Sequence, residues 1–347
     1  MAQKKYGFGV LGCGVISDTH LDAIRSLPNA QIVAVCDTRE PSAQDKAEKY
    51  GCDYYTDLAE MLKRDDLQVV NVVVPSGLHA RLGIQCCEAG KHVICTKPID
   101  ITLERIDSLI AAAARNHVLV GATHQSRGFS VYKRLKQAVV EERLGKLLYG
   151  SAIVPWFRSE QYYSDGWHGT KALDGGGALI NQSIHYIDLL IWMLGNPVKV
   201  FGWAENLGHE NLEVEDCANA VVKFDSGAQG IIQGTTCTYS GHPQRLEIHG
   251  SKGNVVITGD EIALWEVEGE ALEVHKEAGR KGGSADPKLG MQGEAVPAHA
   301  EQIADLLAAI DEGRQPNLNG QEARRAVELI LAIYKASETN QVVDLRP

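Results

Sequence analysis

Short apolar runs alternate with amphipathic stretches through the first third of the chain. Runs at 8–11, 31–36, 69–74, 92–95 and 118–122 read as strands; the stretches between them, from the first turn to about 27 and then at 42–50, 57–63, 79–90 and 101–116, read as helices. Strand–helix alternation implies a parallel sheet. The run 69–74 is apolar nearly throughout, as a strand covered on both faces should be. Beyond 130 the pattern changes. A helix at 130–141 is followed by strands at 147–157, 198–206, 217–225, 228–238, 244–249 and 253–258. Turn sequences such as Asp225-Ser226-Gly227 separate some of them. One helix, 178–194, interrupts this series, and helices at 298–312 and 320–337 close the chain. The Gly-, Lys- and Glu-rich stretch 276–294 reads as a loop. The pattern predicts an α/β fold with two domains: 1–122, built on a parallel sheet, and 123–347, built on a large open, mostly antiparallel sheet. In the strand 228–238, Ile231 and Ile232 are adjacent and point to opposite faces. Helices can cover one face only, so the other predicts a homodimer or homotetramer.

A length of 347 residues suits two domains, and a hydrophobic fraction of 44% is that of a globular protein. No apolar run reaches membrane-spanning length, and the residues before the first strand form no secretory signal. A net charge of −11 supplies no basic field for a nucleic-acid backbone. The eight cysteines form no C-x-x-C pair and sit mostly in apolar contexts, which predicts free thiols in a reducing cytoplasm and no metal site.

The chemistry begins where the first strand ends, in Gly12-Cys13-Gly14, with Val15 and Ile16 opening the helix. This is the first turn of a dinucleotide-binding fold. One glycine permits the tight turn, the next lets backbone approach a pyrophosphate, and the helix N-terminus offers N–H groups to it. Ser17 stands where a third glycine is usual. Cys13 lies inside the turn, where alkylation would obstruct a cofactor. Asp37 ends the second strand, placed to accept hydrogen bonds from ribose hydroxyls and to repel a 2′-phosphate. Thr38 and Arg39 follow, and Arg39 leaves NADP open beside the preferred NAD. The segment Val74-Pro75-Ser76-Gly77-Leu78-His79 and the strand-end Thr96-Lys97-Pro98 fall at the carboxyl edge of the sheet, where ligands bind. Gln125 and Arg127 follow the last strand of the first domain. In the second domain, Asn181, His185 and Asp188 share one face of the helix that follows Gly175-Gly176-Gly177. The stretch with Arg158, Tyr163, Trp167 and His168 offers aromatic faces for a sugar ring, with Arg158 able to bind a carboxylate or phosphate.

Together, Gly12-Cys13-Gly14, Pro75 to His79, Thr96-Lys97-Pro98, Gln125-Ser126-Arg127, Gly175 to Gly177 and Asn181 to Asp188 resemble the Gfo/Idh/MocA family of glucose–fructose oxidoreductases and inositol dehydrogenases. The closing Gly313-Arg-Gln-Pro316 and Gly320-Gln-Glu-Ala-Arg324 fit the same pattern, so the likeness runs over nearly the whole chain. The resemblance implies a Rossmann domain, an α+β C-terminal domain whose open sheet forms an oligomer interface, and NAD(P)-dependent chemistry at a sugar or cyclitol carbinol. It implies that Lys97 lies between nicotinamide and substrate and that His185 is the acid/base, with Asn181 in its neighbourhood. Two departures stand out. Thr96 replaces the family's Glu before the lysine, and Asn181 replaces the Asp common four residues before the histidine. An asparagine can position a hydroxyl or an imidazole but cannot hold an imidazolium as a carboxylate would.

The mechanism expected is loss of hydride from the carbinol carbon to nicotinamide while His185, with a reference pKa of ~6.5, takes the hydroxyl proton. Lys97 then supplies positive charge where alkoxide develops. Two alternatives stand beside it: an oxidoreductase acting on a nucleotide sugar with tightly bound, recycled NAD, and a non-catalytic NAD-binding sensor.

Overall fold

The structure is a computed structural model and describes residues 5–275 and 294–345. The chain begins β1 (Tyr6–Leu11), α1 (Ser17–Ser26), β2 (Ala30–Cys36), α2 (Glu40–Tyr50), β3 (Asp53–Tyr55), α3 (Leu58–Leu62) and β4 (Val69–Val72). It goes on with α4 (His79–Glu88), β5 (His92–Thr96), α5 (Leu103–Arg115) and β6 (Val120–Thr123). Next come α6 (Ser130–Val140), β7 (Leu147–Pro155), α7 (Ile184–Leu194), β8 (Pro197–Glu205), β9 (Cys217–Phe224) and β10 (Gln229–Thr235). Last are β11 (Arg245–Gly250), β12 (Gly253–Thr258), β13 (Glu261–Val267), β14 (Glu273–Val274), α8 (Ala295–Glu312), α9 (Gly320–Thr339) and β15 (Val343–Asp344). The short strands β3, β14 and β15, and the longer β13, were not among the expected elements. The loop expected at 276–294 lies outside the described residues except for Glu294.

Two compact units result, one of Met1–Gly128 with Gly293–Arg324 and one of Phe129–Gln292 with Arg325–Pro347. The first holds a six-stranded parallel sheet in the order β3-β2-β1-β4-β5-β6. The order reverses between β1 and β4, which opens a crevice at their carboxyl ends. This division differs from a single cut at 122, because α8 returns to the first unit. Its Ile303, Leu306 and Leu307 are buried in one core with Phe8, Val10, Leu21 and Ile24. Tyr6 donates to Asp311 at 2.6 Å, Gln302 donates to the carbonyl of His124 at 2.7 Å, and Ala122 N–H donates to the carbonyl of Leu318 at 3.0 Å. Periodicity marks α8 as amphipathic but does not say which apolar stripe it covers.

The second unit holds a nine-stranded sheet in the order β14-β13-β12-β11-β7-β10-β9-β8-β15. Its β7 and β10 run parallel and its other neighbours antiparallel. The helix at 178–194 packs on β7, so one sheet face is covered. Ile232 on that face is 0% exposed, while Ile231 on the other is 51% exposed. Val221, Trp203 and Tyr149 are exposed as well. The helix itself is not uniform: Ala178–Ser183 is π-helical and becomes α-helical only at Ile184.

Two imidazoles are sealed where α8 meets α1. The rings of His20 and His299 lie edge to face, 4.5 Å between centroids. Asn71 donates to His20 Nδ1 at 3.0 Å, and His299 Nδ1 donates to the carbonyl of Ala295 at 2.7 Å. Burial holds both rings below their ordinary pKa, His20 well below, with His299 and His79 adding to the shift on His20. The unfolded chain therefore binds protons at these positions below its ordinary value of 6.5, which the folded protein does not. Their contribution to stability is fully present above that pH and is lost as pH falls toward the folded values, at up to ~1.4 kcal/mol per pH unit for each ring. Melting curves between pH 8 and 5 should show Tm falling below about pH 6.5. His299→Gln should make that fall measurably shallower, and a parallel curve for the variant would refute the assignment.

Candidate active site

In the first unit, β1 delivers the chain to the glycine turn. Gly12 has φ +101°, and a Cβ there would lie 2.2 Å from the carbonyl oxygen of Val73, so the turn presses against the end of β4. Gly14 opens onto free space, with nothing within 4 Å of where its Cβ would stand. Ser17, in the place of a third glycine, is buried and its hydroxyl donates to the carbonyl of Gly14 at 2.6 Å. Val15 is 74% exposed at the lip of the turn, and Ile16 is partly buried behind it. Asp37 works in two directions. One carboxylate oxygen accepts from the N–H of Cys13 and the other from the N–H of Arg39, each at 2.8 Å. Thr38 lies between them in sequence, and the exposed Arg39 guanidinium stands 3.5 Å from Asp37. An open glycine cradle at the start of a helix, with a carboxylate at the end of the next strand, fits the pyrophosphate and ribose of NAD. The Cys13 thiol is buried, and burial, with Asp37 adding to it, pushes its pKa up to about 12. It stays protonated at neutral pH and is a packing group, not a reactive one.

Val74 and Pro75 lead into a 3₁₀ turn, Ser76–Leu78, before α4. His79 opens α4. Its side chain is fully buried, with Nδ1 2.6 Å from the carbonyl of Pro98 and Nε2 2.7 Å from the carbonyl of Val74. It ties the loop after β4 to the loop after β5. Burial pushes its pKa down, and the two carbonyls pull it back. Thr96 closes β5, and Lys97 follows it, both partly buried. Gln125 opens a 3₁₀ turn, Gln125–Gly128, after β6. Arg127 on that turn forms an ion pair with Glu322 at 2.9 Å, so its charge is matched within this unit.

In the second unit the segment 178–194 carries Asn181 and His185, both nearly buried. Sequence reasoning missed what holds it. Glu215 is a buried carboxylate that accepts from the N–H groups of Gly177 and Leu179, at 2.9 and 2.8 Å, and from the hydroxyl of Tyr334 at 2.8 Å. Burial raises its pKa, and these three donors oppose the rise. Two of the three glycines leave room for this grip. A Cβ on Gly177 would meet the Glu215 carbonyl oxygen at 2.0 Å, and one on Gly176 the Tyr334 hydroxyl at 2.2 Å. Asp174, also missed, accepts from the Asn181 amide at 2.6 Å and from the N–H of Gly169 at 2.8 Å.

Arg158 is buried beside this helix. Its guanidinium donates to Gln182 at 2.8 Å and to the carbonyl of Phe157 at 2.9 Å. It also lies over the rings of Trp156 and Tyr162, at 5.1 and 5.4 Å. Burial lowers its pKa. His209, bridging Asp216 and the Arg158 carbonyl at 2.8 Å each, fixes the backbone there. Tyr163 donates to Thr236 at 2.9 Å, and burial pushes its pKa up to about 12. His168 lies 2.6 Å from Asp165 and stacks on Trp167 at 3.7 Å. The structure thus gathers Arg158, Tyr163, Trp167 and His168 into one connected aromatic and polar region. No group of acids, histidines and cysteines among the described residues has the makings of a metal site.

Comparison with known proteins agrees with these features. A model described as an oxidoreductase family with NAD-binding Rossmann fold matches residues 6–124, and a GFO/IDH/MocA C-terminal domain matches residues 132–256. The myo-inositol 2-dehydrogenase of Thermotoga maritima is 26% identical, over 97% of this chain and 98% of that one. The inositol 2-dehydrogenase of Rhizobium meliloti is 26% identical, over 96% and 98%. Among solved structures, the WlbA dehydrogenase of Bordetella pertussis, in complex with NADH and UDP-GlcNAcA, superposes with a TM-score of 0.86 at 27% identity, covering 99% of this chain and all of that one. With both domain models matched in order, and with an Asp37-braced glycine turn to receive NAD, the chain belongs to the Gfo/Idh/MocA family of NAD-binding oxidoreductases.

Proposed function

We propose that this protein interconverts a carbinol and a carbonyl on a sugar, sugar acid or cyclitol, with NAD as the hydride partner. The observation that carries the reading is the buried polar face of the 178–194 helix, where Asn181 is held by Asp174, the start of the helix is held by Glu215, and His185 lies buried on the same face. Two relatives of similar length are inositol dehydrogenases by name. Gly12, Gly14 and the N–H groups at 15–16 would hold the pyrophosphate, and Asp37 the ribose. Val74, Pro75, Ser76, Leu78, Thr96 and Gln125 would line the rest of the cofactor site. Bound NAD supplies the hydride acceptor. His185 takes the hydroxyl proton as the carbinol carbon loses hydride and becomes a carbonyl. Lys97 stabilises the alkoxide that develops. Asn181 orients the reacting hydroxyl, and Trp167, His168 and Tyr163 contact the ring face. Tyr163 does not replace His185 as base, because its hydroxyl is committed to Thr236 and its pKa is high.

A second reading is favoured by Arg158 and by the likeness to WlbA: an anionic substrate such as a nucleotide sugar, oxidised by an NAD that stays bound. Asp37 favours NAD over NADP. The eight free cysteines suit a reducing cytoplasm. Among the described residues no helix is long and apolar enough to cross a membrane.

The test is a screen of myo-inositol, D-apiose, levoglucosan and UDP-GlcNAcA with NAD and NADP, read at the reduced-nicotinamide absorbance. Turnover with at least one compound is expected, faster with NAD. His185→Ala should lower kcat by ~10²–10⁴-fold with the NAD dissociation constant nearly unchanged. Absence of turnover with all of them would favour the sensor, and a variant as fast as wild type would remove His185 from the chemistry.

The exposed sheet face carries a second proposal, a homodimer or homotetramer formed by pairing these faces. Phe201, Val221 and Ile231 lie side by side across β8, β9 and β10. A single copy would leave this apolar row in water. Sedimentation at micromolar concentration should show a dimer or tetramer, and Ile231→Asp with Val221→Asp should shift it toward monomer. A wild-type monomer would refute the interface.

A further inference from the structure

We propose that Asp174 is a positioning residue that fixes which end of the Asn181 side chain faces the substrate. The inference rests on the reading of the 178–194 helix as the catalytic one. Asp174 is 1% exposed and Asn181 8%, and both of the carboxylate's oxygens are engaged. One accepts from Asn181 Nδ2 at 2.6 Å and the other from the N–H of Gly169 at 2.8 Å. A carboxylate has no proton to give near neutral pH, so only the NH₂ end of a carboxamide can meet it. The amide therefore turns its donor end toward the loop, leaving its carbonyl oxygen as the acceptor on the opposite side. An acceptor is what a polyol hydroxyl needs in order to be aligned for loss of its own proton. The bond is also charge-assisted, stronger than an ordinary amide contact and resistant to flipping.

The arrangement explains how an asparagine serves here without a carboxylate of its own. The negative charge sits seven residues earlier, on the loop that enters the triple glycine, and acts on the site through the amide. Asn181→Asp alone would set two carboxylates at hydrogen-bond distance, a pair that must share a proton. Asp174→Asn alone leaves one carbonyl oxygen for two donors on different sides. The exchange Asp174→Asn with Asn181→Asp restores both bonds. The carboxamide then at position 174 accepts from Gly169 through its oxygen, while its NH₂ donates to the carboxylate then at position 181.

Two measurements test this. In protein labelled with ¹⁵N-asparagine, the Asn181 side-chain NH₂ signal, assigned by its loss in Asn181→Ala, should carry one proton shifted downfield. Asp174→Ala should move it upfield by a readily resolved amount while thermal melting confirms folding, and an unmoved signal would overturn the proposal. With the screened compound of highest turnover, Asp174→Asn and Asn181→Asp should each lower kcat by about 10²-fold, as a displaced orienting group does. The double exchange should recover at least about tenfold of that loss, where two independent structural defects would compound. If Asp174→Asn is within about twofold of wild type, or the exchange is worse than either single variant, Asp174 acts only on Gly169 and the proposal fails. Should wild type turn over none of the compounds, the proposed activity falls, and the NMR experiment still decides the orientation of Asn181.

Discussion

A buried carboxylate holds the first turn of the helix to which the proposed function assigns the second unit's chemistry. The opening N–H groups of a helix have no partner inside it, and in a buried position each unmet donor costs about 1–3 kcal/mol. Glu215 meets two of them and is itself completed by Tyr334. Negative charge at that end also suits the helix dipole. The grip is close because Gly176 and Gly177 bring no side chain to it. The first turn is wound as a π-helix over Ala178–Ser183, a form found often at functional sites. Asn181 lies within that turn and His185 just beyond it, so both inherit their placement from a carboxylate thirty-odd residues further along the chain.

The first unit uses the same device on its cofactor turn. Asp37 satisfies the N–H of Cys13 and the N–H of Arg39, so the carboxylate that would meet a ribose is already fixed by the backbone it braces. His79 joins the loops after β4 and β5 in a similar way. In both units, polar side chains near the chemistry act first as struts. This suits sites that must not rearrange when a ligand arrives, since reorganisation during reaction costs rate.

The parallel order of the first sheet and the glycine turn were legible in the sequence because each rests on local spacing. Strand–helix alternation, Gly12, Gly14 and Asp37 all lie within one βαβ unit. The adjacency of Ile231 and Ile232 set them on opposite faces, and one is buried while the other is exposed. Less was legible where a residue's role depends on a distant partner. Spacing set His79 at the carboxyl edge of the sheet, but not the two carbonyls, of Val74 and Pro98, that its ring meets. Asp174 and Glu215 escaped notice because nothing in a linear pattern shows that a loop will fold back onto a helix start. The strands β14 and β15 are hard to read because two-residue edge strands carry little periodicity. The unit to which α8 belongs is hidden too, because amphipathicity names a face but not its neighbour.

The return of α8 to the first unit has a consequence for synthesis of the chain. The core around Phe8, Leu21 and Ile24 is closed by Ile303, Leu306 and Leu307. A ribosome adds roughly 5–20 residues per second, so on the order of ten to forty seconds separate the emergence of the sixth strand from that of the helix that seals its sheet. Over that interval α1 carries an uncovered apolar stripe, and the whole of the second unit's sheet is made while it waits. Folding of the first unit is thus finished from the far end of the chain, and the nascent protein is open to chaperones and to neighbouring chains until its last helices are in place.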